Sequence, residues 1–386
     1  MRTFALLLLA AVALQPAEPE LRWFRGNLHT HSAWAEGDDF PEMIAAAYKD
    51  RGYNFLVLTE HNLLSQGTQW KAVKDLDAKA KVPVLPPYLK RFGPSWVETR
   101  NPADPEVRLK PFDEFSPLVN EPGRFLVIPG EEITDQAANG RAIHMNASNL
   151  ATVFKPRSGA NVRETIANNL AVANPDVLVA VNHPNYKWGV TPEDLASSEA
   201  LQFFEIWNGV TDDNDPGDPT HPSTDEIWDR ANALRLANGF TPLYGIANDD
   251  AHNYHGNNPR AIPGRAWVMV LARQLAPQSL FQAMRDGHFY ASTGVTINGI
   301  FFDSKARRLA LSIDPSSGSR LVTRFIGLRE GATEGEQFAE EFGPNPEYTM
   351  GEGEIYVRAV VTSDRAPEVP SPEFPFRRAW TQPVGW

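Results

Sequence analysis

A closed α/β barrel is the fold class this chain predicts, and three observations predict it. Short apolar runs alternate with helical patterns over residues 23–287. Most of those runs carry a histidine or a carboxylate at or near their C-terminal end. Polar groups carried on many strand ends can converge on one point only if the sheet closes, and the C-terminal rim of a closed barrel is where sites are built. An open doubly wound sheet shares the alternation but not the convergence.

The strand candidates are "WFRGNLHTH" (23–31), "FLVLTEHN" (55–62), "FLVIPGEE" (125–132), "AIHMN" (142–146), "VLVAVNHP" (177–184), "FFEIWNG" (203–209) and "LYGIANDDAH" (243–252). Rich in Val, Ile, Leu and Phe, they read as strands buried on both faces, as in a parallel sheet. Residues 41–52 begin with Pro41 in a first helical turn and stop at Gly52, the asymmetry expected of a helix. Residues 161–173, 223–239 and 277–287 behave likewise. Residues 63–124, with many prolines, tryptophans and charges, form an insertion after the second strand and are expected to lie over the site. Beyond residue 295 the pattern becomes short β-like runs such as "RLVTRFIGL" and "EIYVRAVVT". The expected organisation is a barrel over 21–295 and a small β-sandwich-like appendage over 296–386.

Composition removes several function classes. A net charge of −12 over 386 residues argues against tracking the phosphate backbone of long duplex nucleic acid, which needs a basic stripe. The chain has no cysteine, so disulfides and thiolate metal sites are excluded, and any metal is held by imidazole and carboxylate. The N-terminal "MRTFALLLLAAVALQPAEPE" has one arginine, an apolar run and small residues before proline and acids. It reads as a signal peptide over 1–17, too short for a membrane span, and implies an exported protein, periplasmic or secreted, with no membrane attachment after cleavage.

Six of the nine histidines stand at predicted strand ends: His29, His31, His61, His144, His183 and His252. Glu60, Glu131, Glu132, Asp249 and Asp250 occupy the same places. A purposeless cluster of buried polar groups costs stability, so the arrangement points to metal. A single zinc takes about four ligands. This set suits two or three ions, with Zn, Mn and Fe all compatible with mixed imidazole and carboxylate. His29 and His31, at alternate strand positions, share a face.

"HTHS", "LTEHN", "IPGEEIT", "IHM", "NHP" and "NDDAH", in this order, resemble the motifs of the PHP (polymerase and histidinol phosphatase) superfamily. The resemblance covers roughly residues 25–295, and the later "EIWNG", "GRAWVMV" and "DGHFYASTG" resemble its exported branch, grouped with carbaryl hydrolase. It implies a distorted (β/α)7 barrel, a trinuclear centre and phosphoester hydrolysis. It further implies that His29, His31, Glu132 and Asp250 hold one ion and that Glu132 bridges to a second held by His144 and His183. His61 and His252 would hold a third with Glu36. The same pattern favours Glu132 over Glu131 and Asp250 over Asp249.

The chemistry expected is attack by metal-activated water on phosphorus or on a carbonyl carbon, with Glu60 as the candidate catalytic acid. Arg141, Lys187, Arg260 and Arg265 are candidates for binding a small anionic substrate. His221, His255 and His288 read as ordinary or outer residues, while Trp188 and Trp207 could line an apolar pocket. A phosphoesterase is the leading expectation. Carbamate, ester or amide hydrolysis on the same metals is the alternative, and an exported metal-containing binding module is a third reading, disfavoured because structural sites close with four ligands.

Overall fold

The computed structural model describes residues 19–256, 258–370 and 375–386. The expected signal peptide, 1–17, lies outside them. No helix among the described residues is long and apolar enough to cross a membrane.

The first half runs β1 (Arg22–Asn27), α1 (Pro41–Asp50), β2 (Phe55–His61), then the insertion with β3 (Gln69–Ala72), α2 (Val73–Ala80), α3 (Leu85–Phe92), β4 (Thr99–Arg100), β5 (Glu106–Leu109) and α4 (Phe112–Val119). It continues through β6 (Leu126–Gln136), β7 (Ala142–Ser148), α5 (Val162–Leu170), β8 (Leu178–Val181), α6 (Pro192–Leu195), β9 (Phe203–Asn208), α7 (Thr224–Ala237) and β10 (Tyr244–Asn248). The remainder is β11 (Trp267–Ala272), α8 (Pro277–Arg285), β12 (Phe289–Ser292), β13 (Ile297–Asp303), β14 (Arg308–Ile313), β15 (Leu321–Arg329), β16 (Glu336–Phe342), β17 (Glu347–Thr349), β18 (Glu354–Ser363) and β19 (Arg378–Thr381).

Each of the apolar runs became a strand, β1, β2 and β6 to β10, and each helical pattern a helix. Capping follows the sequence: Ser223 and Glu226 form a reciprocal box at the start of α7, and Asn161 caps α5.

The sheet departs from the expectation in three ways. First, it is mixed, because β7 runs antiparallel to both β6 and β8. Only residues 137–141 join β6 to β7, whereas a parallel neighbour needs a crossover of a dozen or more residues. Second, among the described residues the ladder is open in order: β10-β9-β8-β7-β6-β2-β1-β11-β12-β19-β18-β15-β16. Strand β10 does not pair along its length with β1. The two meet only past their ends, where His31 N–H donates to Ala251 O (3.0 Å) and Asp250 N–H to His29 O (3.1 Å). Third, β12, β19, β18, β15 and β16 extend the main sheet, while β13, β14 and β17 form a second sheet that shares a core with β15 and β18. Their core, including Phe325, Val357 and Val361, also takes in Tyr290 of β12.

The insertion folds as a small sheet, in the order β3-β5-β4, with three helices. Its apolar residues Leu76, Val84, Tyr88, Val107 and Leu109 bury Ala33, Trp34 and Phe40 of the loop after β1. Trp34 Nε1 donates to Lys110 O (3.0 Å), and Phe40 stacks on Tyr88. The insertion therefore buttresses the loop that carries Glu36.

Candidate metal centre

Strand register sorts the adjacent acids. Pairing of β2 with β6 sets His61 opposite Glu132 and Glu60 opposite Glu131. Successive side chains alternate faces, so one pair turns inward and the other outward. Glu132 meets His144 Nδ1 (3.0 Å), His183 Nε2 (3.2 Å), His61 Nδ1 (2.7 Å) and both first-strand histidines (3.4 and 3.5 Å). Glu131 instead accepts from Phe154 N–H (2.7 Å), and burial pushes its carboxyl up to about 7.

The same division holds at the end of β10. Asp249 is anchored outward by Tyr48 Oη–H (2.9 Å) and by the N–H groups of Gly264, Arg265 and Ala266 (2.9, 2.7 and 2.8 Å). Asp250 takes a left-handed φ of 47° and turns inward, placing Oδ1 3.2 Å from His29 Nε2 and 3.1 Å from His31 Nε2. His183 also has positive φ, 24°. Such backbone costs on the order of 1–3 kcal/mol each and persists only where neighbours over-determine it. Here the His183 N–H donates to buried Glu205 (2.9 Å).

These side chains fall into overlapping groups whose ligand atoms lie within 4.8 Å of one another: His29, His31 and Glu132; His29, His183 and Asp250; Glu132, His144 and His183; His31, His61 and His252. The first and third match the first two ions implied by the family resemblance, with Glu132 common to both. In the last group His31 stands with His61 and His252, the three ring centroids forming a triangle with sides of 4.5, 4.2 and 6.2 Å. Glu36 is peripheral, 66% exposed and 3.8 Å from His61 Nε2. Its loop turns tightly at Gly37, where a Cβ would fall 2.4 Å from His31 O.

The donor set fits divalent cations. His29 Nε2, both ring nitrogens of His31, Glu132 Oε2 and Asp250 Oδ1 are buried and make no hydrogen bond, an arrangement costly to a fold unless a cation completes it. Outer groups aim the rings: His29 Nδ1 pairs with Glu205 Oε1 (2.8 Å) and His252 Nδ1 with Asp250 O (2.9 Å), directing each Nε2 away from those partners.

Charge balance says the same. Burial opposes charge on His29, yet Asp250, Glu205 and Glu132 hold its pKa well above the ordinary value. Burial likewise opposes charge on His183, but Glu132 and Asp213 hold it up at about 10. Glu132 and Asp250 stay well below the usual carboxylate range, against burial, because imidazoles surround them. The acids thus retain protons on His29 and His183 that a metal would displace, whereas burial holds His31 and His252 below the ordinary imidazole value.

Other candidates lie elsewhere. Glu60 does not line the cavity. It is fully buried, accepts from Ser32 N–H (3.1 Å) and Ser32 Oγ–H, and is pushed up to about 7 by burial. Its place is behind the loop after β1, which removes it as the acid that meets substrate. Arg141 is paired with Asp194 (2.7 Å), and Lys187 is exposed with its Nζ over the Tyr186 ring. Arg265 is buried and donates to Gly209 O (2.6 Å), Arg260 O (2.7 Å) and Pro259 O (2.5 Å), stapling two rim loops. Of the four cations expected to bind substrate, Arg260 lines the cavity, while Arg141, Lys187 and Arg265 do not. Trp188 stacks on His221, and Trp207 is in the core. The cavity measures about 110 Å³ and is walled by Glu36, His61, Glu132, His144, His183, Asp250, His252 and Arg260, with Tyr186, Val210 and Asp213. Sequence reasoning missed Tyr186, Asp213 and Glu205. The acid-rich "TDDND" after β9 was the available signal for Asp213.

Three solved structures are distantly similar to this chain. Over 96% of this chain and all of the other, it matches a two-domain protein from Bacteroides vulgatus ATCC 8482 that contains a predicted PHP-like metal-dependent phosphoesterase, at 16% identity and a TM-score of 0.42. It matches PsfC from Pseudomonas syringae PB-5123 over 64% of this chain and 82% of that one (11%, 0.32). A candidate metal-dependent phosphoesterase from Bifidobacterium adolescentis ATCC 15703 matches over 63% and 91% (10%, 0.33). No family model and no curated protein matches the sequence. Likenesses this distant carry no weight for chemistry, which rests on the side chains.

Proposed function

We propose that the chain is a multinuclear metal-dependent hydrolase acting on phosphoesters. The carrying observation is the convergence of His29, His31, His61, His144, His183, His252, Glu132 and Asp250, with buried ligand atoms left without hydrogen bonds. Two or three divalent ions held there would supply an activated water and neutralise charge on the ester. The chain's own part is to aim the imidazoles through Glu205 and the Asp250 carbonyl, and to hold Arg260, whose Nε pairs with Asp212 (2.7 Å), on the cavity wall toward an anionic group. The cavity admits the reacting group and little more, so the remainder of a substrate lies outside it. The leader pattern at residues 1–17 supports action after export.

One observation favours a second reading, hydrolysis of a carbamate or carboxylic ester. Arg260 is the single lysine or arginine lining the cavity among the described residues, a modest complement for a phosphate. Both readings are tested together: purified protein, loaded with Mn or Zn and analysed for metal content, is offered aryl phosphomonoesters, phosphodiesters, carbamates and carboxylic esters. Two or three ions per chain with turnover of a phosphoester is the expected result. Turnover of carbamates alone selects the second reading. Stoichiometric metal with no turnover of any class rejects both.

A further inference from the structure

We propose that Asp213 is the catalytic acid that protonates the departing oxygen in this hydrolysis. This inference rests on the hydrolase reading and fills the role that Glu60 cannot. Asp213 lines the metal-ligand cavity yet is only 3% exposed, and its Oδ2 has no hydrogen-bond partner among the described residues. It makes no ion pair within 4 Å with a ligand side chain among the described residues, so it stands beside the cluster and not in it.

The surroundings hold Asp213 in place. On one side Thr211 N–H donates to Arg260 O (3.1 Å), and Arg265 bonds both Gly209 O and Arg260 O. On the other, Asn185 Nδ2 donates to Asn214 O (2.9 Å), and Asn208 N–H donates to Asp215 Oδ2 (2.8 Å). A carboxyl on the cavity wall, fastened at both flanks and with Oδ2 left without a hydrogen bond, meets the positional demand on a general acid. Its charge neighbours are His183 and Arg260, which favour the carboxylate, and Asp250 and Glu205, which disfavour it. Burial is the largest influence, and the group is pushed up to about 7.

In the step proposed, water adds its oxygen to phosphorus as the ester P–O bond breaks. The Asp213 carboxylic O–H gives its proton to the leaving alkoxide, which departs as the alcohol. The proton shed by the attacking water restores the acid, so the sum is ester plus water to alcohol plus phosphate.

Leaving-group dependence tests this directly. Metal-loaded wild type, Asp213→Asn and Asp213→Glu are compared on a p-nitrophenyl phosphoester, whose leaving group needs no proton, and on the matching alkyl ester, whose leaving group does. Expected for D213N is a loss of roughly 10²–10⁴-fold in kcat on the alkyl ester, a loss below about tenfold on the p-nitrophenyl ester, unchanged metal content, and partial recovery in D213E. Equal losses on both esters, or reduced metal content in D213N, overturn the assignment while leaving the hydrolase reading intact. Failure of the metal-loaded wild type on both esters removes the phosphoesterase reading itself, and the acid role with it.

Discussion

Where helix α7 meets the C-terminal strands, buried Arg358 bonds Asp229 through two parallel contacts (2.9 and 2.7 Å), Asp229 also accepts from Tyr356 Oη–H (2.7 Å), and the guanidinium lies over Trp228. At the strand ends, Glu132 Oε2 and Asp250 Oδ1 lie close to imidazole nitrogens but in no hydrogen-bond geometry. Both clusters are buried and both are charged. In the first, a fork-shaped cation matches a carboxylate, and its remaining nitrogen, Nη1, lies 3.1 Å from Asp225 Oδ1, so opposite charges face each other within the protein. In the second, ligand atoms from several side chains gather within 4.8 Å of one another, which is how a protein prepares for a cation it does not encode. Burial of charge alone therefore does not mark a site, and neither does a single atom without a hydrogen bond. Several imidazole and carboxylate atoms left over around one point do.

Breaking the clasp has the largest expected effect on the fold. Arg358→Ala strands a buried Asp229 and should cost about 3–5 kcal/mol of stability, read by denaturant unfolding of metal-free protein. Metal bound per folded molecule should equal that of wild type. A loss of metal in this variant would show that the two clusters are coupled.

Glu132→Gln should strike the metal first. Metal affinity should fall beyond the ~10–100-fold typical of a group that only orients a ligand, because Glu132 belongs to two of the candidate ligand groups. Stability of the metal-free protein should fall as well, since the imidazoles that keep Glu132 ionised against burial lose their partner. Calorimetric titration with Zn, paired with unfolding in chelator, reads both. Undiminished metal binding would displace Glu132 from the centre.

The smallest effect separates the inward from the outward acid. Burial holds Glu131 neutral in the folded state up to about 7, above its ordinary value of 4.5. The stability this gives is complete below the unfolded carboxylate range and is lost as pH rises through about 7. Glu131→Gln keeps an acceptor for Phe154 N–H and removes the titration. Relative to this variant, wild type should lose on the order of 2 kcal/mol between pH 4 and pH 8, measured on metal-free protein. A constant difference across that range would mean that Glu131 is ionised in the fold.

Much of the site was legible because its signals are local. A histidine or acid after a run of β-branched residues lands at a strand end whatever the rest of the chain does, and the two-residue period separates Glu131 from Glu132 once the strand is granted. Glu60 looked equivalent to its neighbours for the same reason: as the residue before His61, its facing away from the cavity follows from alternation, but its bond to Ser32 depends on where another loop travels. Asp213 was missed because it lies in an irregular loop with no period to read, positioned in part by Arg265 and Asn185 from distant parts of the chain.

From the residues alone came the element types, the strand-end positions of the candidate ligands and the exclusion of thiolate chemistry, since these depend on side-chain chemistry and short-range periodicity. Tertiary structure alone decided that β7 runs antiparallel, that β15, β16, β18 and β19 join the main sheet while β13, β14 and β17 do not, and which arginine reaches the cavity. Strand direction and loop path are settled by the sum of many weak contacts between segments far apart in sequence, and no local pattern carries that sum.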